Sequence, residues 1–455
     1  TNRCATLYKE TALGVDNSAA ILNLNGAFTG AGNFVVDGNG IVRPGSAKFF
    51  SYTGNTIVKS GTLQLEYIKN MTAKSRVYLG EDGNTSPKLV MAGGNFVTKS
   101  SNDQYLNYEF PIEVLENTYS TFTIQRNCSL KCKVTGSGTL EYKIPFVREY
   151  VSGDWSGFYG TLVANGVNSD KDGSQLMLYN SGIPNASINL KGNARVTHWN
   201  PNVTIKLGGL SGDKGTYLGG TTKKTTGQTV TWQVGNANTN ETFNGVIDRR
   251  CSASGYNCNV NIVKEGSGYW RLTGSNTYNG TTIVTGGRLI IDGSNQGTGL
   301  MTIKENGSLS GKGTIAGNVV VSGSVQADLS ASGSCQPLTI KGKLTANNAT
   351  LVINMEDVTG TIADDTEIKV FNLASAIQGT GFTDILPATP SATQLWDTSL
   401  LATKGIIKVV SNVANGISTP SADNSSSSAI YDLTGKKTSS PKGLYIKDGK
   451  KHIAR

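Results

Sequence analysis

The sequence predicts an all-β chain built as a stack of repeats, and three observations predict it. Short apolar segments alternate with period two, as in Tyr269-Trp270-Arg271-Leu272, Thr282-Ile283-Val284 and Leu289-Ile290-Ile291. Successive side chains of a strand point to opposite faces, so this period marks strands. Gly-Gly, Asp-Gly and Ser-Asn steps between these segments mark tight turns and leave no room for a helix. The third observation is self-similarity. GSGYWRL at 266–272 has relatives in GSGTLEY at 136–142 and GAGNFVV at 30–36, and YNGTTIVTGGRLII from Tyr278 aligns without a gap on YTGNTIVKSGTLQL from Tyr52. GDWSGFYGTLVANG from Gly153 is a diverged counterpart. Such repetition is the mark of a solenoid, in which each coil contacts only its neighbours. The uneven spacing of the copies places insertions between equivalent coils.

Parity assigns the inward positions of the Gly-x-Gly copies to Trp270 and Leu272, Leu140 and Tyr142, and Phe34 and Val36. Residues 1–20 are polar and read as a cap or the continuation of a larger chain. From Ile21 strands and turns alternate through ILNLNG, GNFVVDGNG, TIVKSGTLQLEYI, RVYLGEDGN and KLVMAGGNFV. Residues 105–150 carry longer strands. STFTIQRNCSLKCKVTGSGTLEYKI has an inward set of Phe122, Ile124, Cys128, Leu130, Cys132 and Val134, with a break at Arg126. An aromatic cluster follows in DWSGFYGTLV, then INLKGNARVTHW, VTIKLGGL, TVTWQVG and FNGVID, and a shorter, more regular region over 300–355. Residues 356–410 read as a β cap in which Trp396 and Leu400 cover the open end of the stack, since an uncovered last coil is an edge strand. A polar, Ser-rich linker follows over 411–428. Residues 429–455 carry three short strands, with Asp448-Gly449 as a hairpin turn.

Residues 266–293, GSGYWRLTGSNTYNGTTIVTGGRLIIDG, resemble the autotransporter-associated β-strand repeat of bacterial surface proteins. GSLSGKGTIAGNVVVSGSVQADL from Gly307 and TIKGKLTANNATLVIN from Thr339 are similar to the strands that follow that repeat. The resemblance covers about 266–355 closely and 21–165 more thinly. It implies a right-handed parallel β-helix over 21–355 and export to the cell surface or beyond. It implies no particular activity. The tail AIYDLTGKKTSSPKGLYIKDGKKHIAR resembles the C-terminal sorting domain of Bacteroidetes proteins exported by the type IX system, with Thr438 in place of the usual Val and Arg455 in place of the terminal Lys. That resemblance implies contact with secretion machinery through 429–455.

Composition agrees with an extracellular β protein. The 455 residues include 56 Gly and 11 Pro, with 16% charged and 7% aromatic residues. The glycines follow no triplet period, which excludes collagen. The net charge of +9 is spread thinly except in the tail, so it reads as solvated surface and not as a nucleic-acid footprint. No run is long enough to span a membrane. The N-terminus lacks the apolar segment of a signal peptide, so an exported protein of this sequence is a mature form or a fragment.

The chemistry-bearing residues are sparse. Six cysteines and two histidines occur without a CxxC pair, and no metal or cofactor is expected. Cys128 and Cys258 each precede a GSG start by eight residues and share an inward position, beside Leu130 and Ile262. Cys258 reads either as a buried thiol or as the partner of Cys251 in a disulfide across the turn SASGYN. Cys128 and Cys132, taken on one extended strand, lie roughly 13 Å apart and too far to bond. Glu66 with Lys69, Glu109 with Glu113 and Glu116, and Asp248 with Arg249 and Arg250 show no spacing that stacks carboxylates on successive coils, and they read as solvated surface charge. NSDKDGSQ at 168–175 has alternate Asn168, Asp170 and Asp172 but Tyr179 where a calcium loop needs Glu, and it reads as a polar turn. His198 has no partner carboxylate nearby in sequence and reads as structural or exposed.

Tyr269 and Trp199 are the candidate glycan-stacking residues, Trp270 and Trp232 belong to the core by parity, and Trp155 stays open. The expected function is a non-enzymatic, adhesin-like or glycan-binding surface protein whose partner is a polysaccharide or a host glycan. The alternative is a polysaccharide lyase, or the accessory β-helix of a carbohydrate-active enzyme.

Overall fold

The computed structural model describes residues 4–66, 76, 77, 79, 87–98, 106–124, 129–169, 173–221, 227–250, 258–412, 430–432, 437–439, 443–447 and 450–454. The chain forms two compact units, one of Thr1–Ser391 with Leu395–Val410, the other of Ala392–Gln394 with Ser411–Arg455.

The first unit is a parallel β-helix with three faces. One turn of the chain supplies one strand to each face, as Asn107–Tyr108, Ile112–Val114 and Tyr119–Thr123 do. The next turn, Ser129–Leu130, Val134–Gly136 and Thr139–Ile144, pairs with it strand for strand, parallel and in register. The stretch that the sequence presents as longer strands is therefore a complete turn around the stack. Phe122, Ile124, Leu130, Cys132 and Val134 are all buried, and Phe122, Leu130 and Val134 belong to strands of the third, first and second faces. Cys128 and Arg126 lie outside the described residues.

The third face is the longest ladder. Among the described residues it runs through fifteen successive parallel pairings, from Ile21–Leu24 to Phe382–Leu386. At about 4.8 Å per strand this is on the order of 70 Å of continuous hydrogen-bonded sheet. The stack also extends past 21–355. Ala5–Leu7 and Thr11–Leu13 pair parallel with Phe28–Gly30 and Phe34–Val36, and Phe371–Leu373 pairs parallel with Leu338–Ile340. Glu367–Lys369 then pairs antiparallel with Ile406–Ser411, and Trp396 packs partly buried against the core while its Nε1 donates to Pro387 O at 2.9 Å.

In-register pairing stacks like residues inside. On the third face Phe96, Phe122 and Tyr142 occupy one column, with ring planes within 17° and 19° of parallel at 4.8 and 5.8 Å. Trp155, Trp232 and Trp270 are fully buried, which decides Trp155 for the core. The indole N–H groups of Trp232 and Trp270 donate to Gly219 O and Leu210 O, each at 2.9 Å. The Gly-x-Gly copies need one correction. Trp270, Leu272, Leu140, Tyr142, Phe34 and Val36 all point inward, but Phe34–Val36 lies on the second face and the other two copies on the third. The motif marks a corner, and a turn has three of them.

The gapless pair of copies is equivalent in three dimensions. Thr56–Val58 and Thr282–Val284 are second-face strands, and Thr62–Leu65 and Gly287–Ile291 are third-face strands. Gly61 and Gly287 turn the intervening corner at φ 61° and 60°, a left-handed conformation that a side chain would strain. Both copies also bury the same hydrogen bond, Tyr52 Oη with Thr56 Oγ1 at 2.6 Å and Tyr278 Oη with Thr282 Oγ1 at 2.7 Å. Tyr278 accepts a further bond from Asn295 Nδ2 at 2.9 Å, and burial pushes its phenol up to about 12.

The second unit contains an antiparallel sheet. Ile430–Asp432 lies between Lys437–Thr438 and Gly443–Lys447, and Gly443–Lys447 pairs with Lys450–Ala454. Among the described residues this sheet has four strands, one more than the three expected. Residues 413–428 of the linker and the turn at 448–449 lie outside the described residues.

Removing the Tyr278 hydroxyl leaves Asn295 and Thr282 short of a buried partner. Tyr278→Phe is expected to lower stability by about 1–3 kcal/mol with an unchanged slope of unfolding against urea. Equal midpoints for variant and parent would show that the hydroxyl carries none of the corner.

Candidate binding surfaces

Tyr269 opens the third-face strand Tyr269–Leu272 and points outward, half-buried. It stands in register with Arg288 of the next coil. The Arg271 guanidinium lies 5.9 Å from the Tyr269 ring centre and forms an ion pair with Asp292. Beside them is an open cleft of about 530 Å³ whose charged lining is Arg271, Arg288 and Lys312 against Asp292, Asp328 and Asp357. Asp328 Oδ1 accepts from Gln326 Nε2 at 2.6 Å and Asn354 Nδ2 at 3.0 Å. Cys335 also lines the cleft, and burial together with the Asp328 charge pushes its thiol up to about 11. A thiol held protonated in this way is a poor nucleophile. The cleft offers balanced charge and many hydrogen-bonding groups.

Trp199 follows the first-face strand Ala194–His198, so the structure does not bring it together with Tyr269. Its ring stacks on Tyr179 at 5.4 Å and 14°, with Tyr150 edge-on at 6.4 Å. One indole face is thereby covered by the neighbouring coil.

The remaining singled-out residues are built into the scaffold. His198 is buried and engages Asn200 through Nδ1 at 2.8 Å and Asn180 O through Nε2 at 3.2 Å. Burial holds its pKa below the usual imidazole value, against those two backbone contacts. Asn168 Nδ2 donates to Gly173 O at 2.9 Å and closes its turn; Asp170 and Asp172 lie outside the described residues. Glu66 pairs with Arg43 at 3.5 Å and Glu113 with Lys88 at 3.1 Å. Asp248 departs from its reading as solvated charge. It is buried at the end of Val246–Ile247, held by Arg195 at 2.8 Å and Arg250 at 2.9 Å. The Arg195 guanidinium in turn lies 4.2 Å above the Tyr217 ring. Two guanidinium groups thus pair with this carboxylate, and the aromatic ring packs on one of them.

Cys258 is buried on the inward side, as parity requires, and its Sγ accepts from Thr221 N–H at 3.3 Å. Cys251, and with it the Cys251–Cys258 pairing, lies outside the described residues. Cys132 is not on an extended strand; its thiol donates to Tyr108 O at 3.1 Å. Among the described residues no group of three His, Cys, Asp or Glu side chains is placed to hold a metal ion, and no helix is long and apolar enough to cross a membrane.

Sequence reasoning missed Lys264. It occupies an inward position of Asn259–Lys264 beside Val260 and Ile262, and burial pushes its amine down to about 8. A lysine so perturbed resembles a general base. Its Nζ instead donates to the carbonyls of Glu265, Gly266 and Gly286 at 2.5, 3.4 and 3.2 Å, away from solvent. It ties one corner to the next.

The molecule is thus a β-solenoid with shallow polar surfaces and a structural use for its perturbed ionisable groups. Comparison with known proteins agrees. The passenger-associated-transport-repeat family model matches residues 46–65 and 262–291, the two copies that share the buried Tyr–Thr bond. The BmaC autotransporter adhesin of Brucella suis biovar 1 (strain 1330) is 48% identical over 61 residues, which cover 13% of this chain and 2% of that protein. The YuaQ protein of Escherichia coli (strain K12) is 37% identical over 109 residues, 23% of this chain and 7% of that protein. The chain therefore spans a small part of the length of either relative.

Lys264 gives a pH signature. Its folded pKa lies below the ordinary value of 10.5, so between about 8 and 10.5 the unfolded chain holds the extra proton, and this group makes stability rise with pH in that window. The stability of the parent minus that of Lys264→Met, from urea midpoints at pH 7.5 and 10.5, is expected to increase. A difference that falls over the same window would show the three carbonyls holding the ammonium charged above 10.5.

Proposed function

We propose that this chain is the rigid, surface-displayed part of an exported adhesin-like protein that binds glycans through shallow outer surfaces. The observation that carries the reading is the continuous third-face ladder, which includes both repeat copies matched by the passenger family. A ladder of this kind projects its outer residues at fixed spacing, and few of its backbone amides are free for proteolysis. Tyr269 with Arg271, Arg288 and the adjoining cleft supplies an aromatic face next to hydrogen-bonding charge, a combination suited to sugar rings and their hydroxyls. The antiparallel C-terminal strands serve export, as a sorting element read by secretion machinery. The buried, doubly paired Asp248 and the enclosed Lys264 weigh against a lyase.

A glycan array combined with whole-cell binding tests this reading. The purified chain is expected to retain a defined set of glycans, and Tyr269→Ala together with Arg288→Ala should weaken binding at the cleft about fivefold or more, equivalent to roughly 1 kcal/mol. Turnover of any polysaccharide by the chain, lost on changing a single carboxylate, would replace the adhesin reading with the enzymatic one.

A further inference from the structure

A second surface feature lies at the corner between the second and third faces. The strand Val203–Gly212 turns this corner: Val203–Leu207 pairs with Val230–Val234 on the second face, and Gly209–Gly212 pairs with Ser187–Leu190 on the third. The turn is made on Gly208 and Gly209. With no side chains there, the coils on either side meet across the gap. Ser187 Oγ donates to Glu241 Oε1 at 2.5 Å, and Thr239 Oγ1 donates to the same oxygen at 2.9 Å. Asn236 Nδ2 donates to Asn185 Oδ1 at 3.0 Å and to Pro184 O at 3.1 Å. A Cβ on Gly209 would stand 2.7–2.8 Å from the oxygens of Ser187, Glu241 and Thr239, and one on Gly208 would meet the Ala186 backbone, so Gly209 is what leaves room for this bridge.

The result is an open notch of about 450 Å³ lined by Tyr159, Thr161, Asn185, Ser187, Asn236 and Thr239 among others. Tyr159 is 66% exposed, although its backbone is fixed by donation to Gly136 O at 2.8 Å. Tyr119, 52% exposed, stands on the same outward column as Thr139 and Thr161, two strands or about 10 Å from Thr161.

We propose that this notch is a binding site for a neutral saccharide. The Tyr159 ring stacks on the C–H face of a pyranose. Asn185, Asn236, Thr161 and Ser187 exchange hydrogen bonds with its hydroxyls, since amides and hydroxyls, like sugars, both donate and accept. The charged group beside the notch is the Glu241 carboxylate, which accepts from hydroxyls and repels acidic sugars. Because the corner repeats along a rigid ladder, Tyr119 stands ready to meet a sugar further along the same oligosaccharide. The proposal rests on the glycan-binding reading given above and assigns it a site distinct from the Tyr269 cleft.

The test uses the full chain and a panel of labelled oligosaccharides, neutral ones of gluco, galacto, manno and N-acetylhexosamine type beside uronic and sialylated ones. Tyr159→Ala removes the stacking face. Gly209→Ser displaces the side-chain tips of Ser187 and Thr239, two of the residues that line the notch. Both should lower affinity for the neutral ligand at least tenfold, Tyr159→Ala with an unchanged unfolding midpoint. Tyr159→Trp should retain binding, and Tyr8→Ala, at a still more exposed tyrosine elsewhere, should change nothing. Neutral binding that survives both notch variants, or binding of acidic glycans alone, would overturn the notch and leave the glycan-binding reading standing. No binding to any member of the panel would overturn both.

Discussion

The structure depends on parallel, in-register pairing between successive coils. Once Thr139–Ile144 sits in register on Tyr119–Thr123, each inward residue lands on an inward residue, and the core becomes a set of columns. Period two along the chain and register between coils are then the same constraint seen in two directions. A slip of one residue would turn Phe96, Phe122 and Tyr142 outward together, which is why insertions occur between strands and leave the ladder intact. Because the outward residues obey the same register, the surface inherits fixed columns too, and Tyr119, Thr139, Thr161 and Ser187 form one of them.

Corners are where this order has to be reconciled with polar backbone. Glycine handles some of them, and buried polar side chains handle others. The Lys264 amine satisfies three corner carbonyls, while the Tyr52–Thr56 and Tyr278–Thr282 bonds pair buried side-chain hydroxyls with each other. A buried lysine whose carbonyl partners were lost would leave an expensive charge, so such residues are tied to particular corners. The same economy applies to buried charge elsewhere. Asp248 and Lys264 have their valences filled by the scaffold, and what remains for ligands is the outer surface.

Much of the fold was legible because parity is local. Trp270, Trp232, Leu140 and Phe34 were placed inward from their neighbours alone, and the gapless alignment of Tyr52 with Tyr278 identified corners that are equivalent in three dimensions. Face assignment was not legible, because Gly-x-Gly marks a corner without saying which of three it is, and because the inward set of the sequence from Phe122 to Val134, broken at Arg126, disguises a full turn as longer strands. The candidate sites were less legible still. Tyr269 and Trp199 were both candidates for stacking, yet Tyr179 covers one face of Trp199, a contact set by which coil lies next to it. The notch at Gly208–Gly209 joins Ser187 to Glu241, 54 residues apart. Such a contact depends on the length of the inserted coil between them, which no local pattern reveals.

The most direct test of a single register-locked ladder is native-state hydrogen exchange read by mass spectrometry along the third face. The account predicts slow, continuous protection from Thr139–Ile144 through Thr161–Gly166, Tyr269–Leu272 and Gly287–Ile291 to Ala349–Asn354, with fraying confined to the end coils. Rapid exchange of Tyr269–Leu272 or Gly287–Ile291 while flanking strands stay protected would break the ladder at the repeat itself and contradict the account.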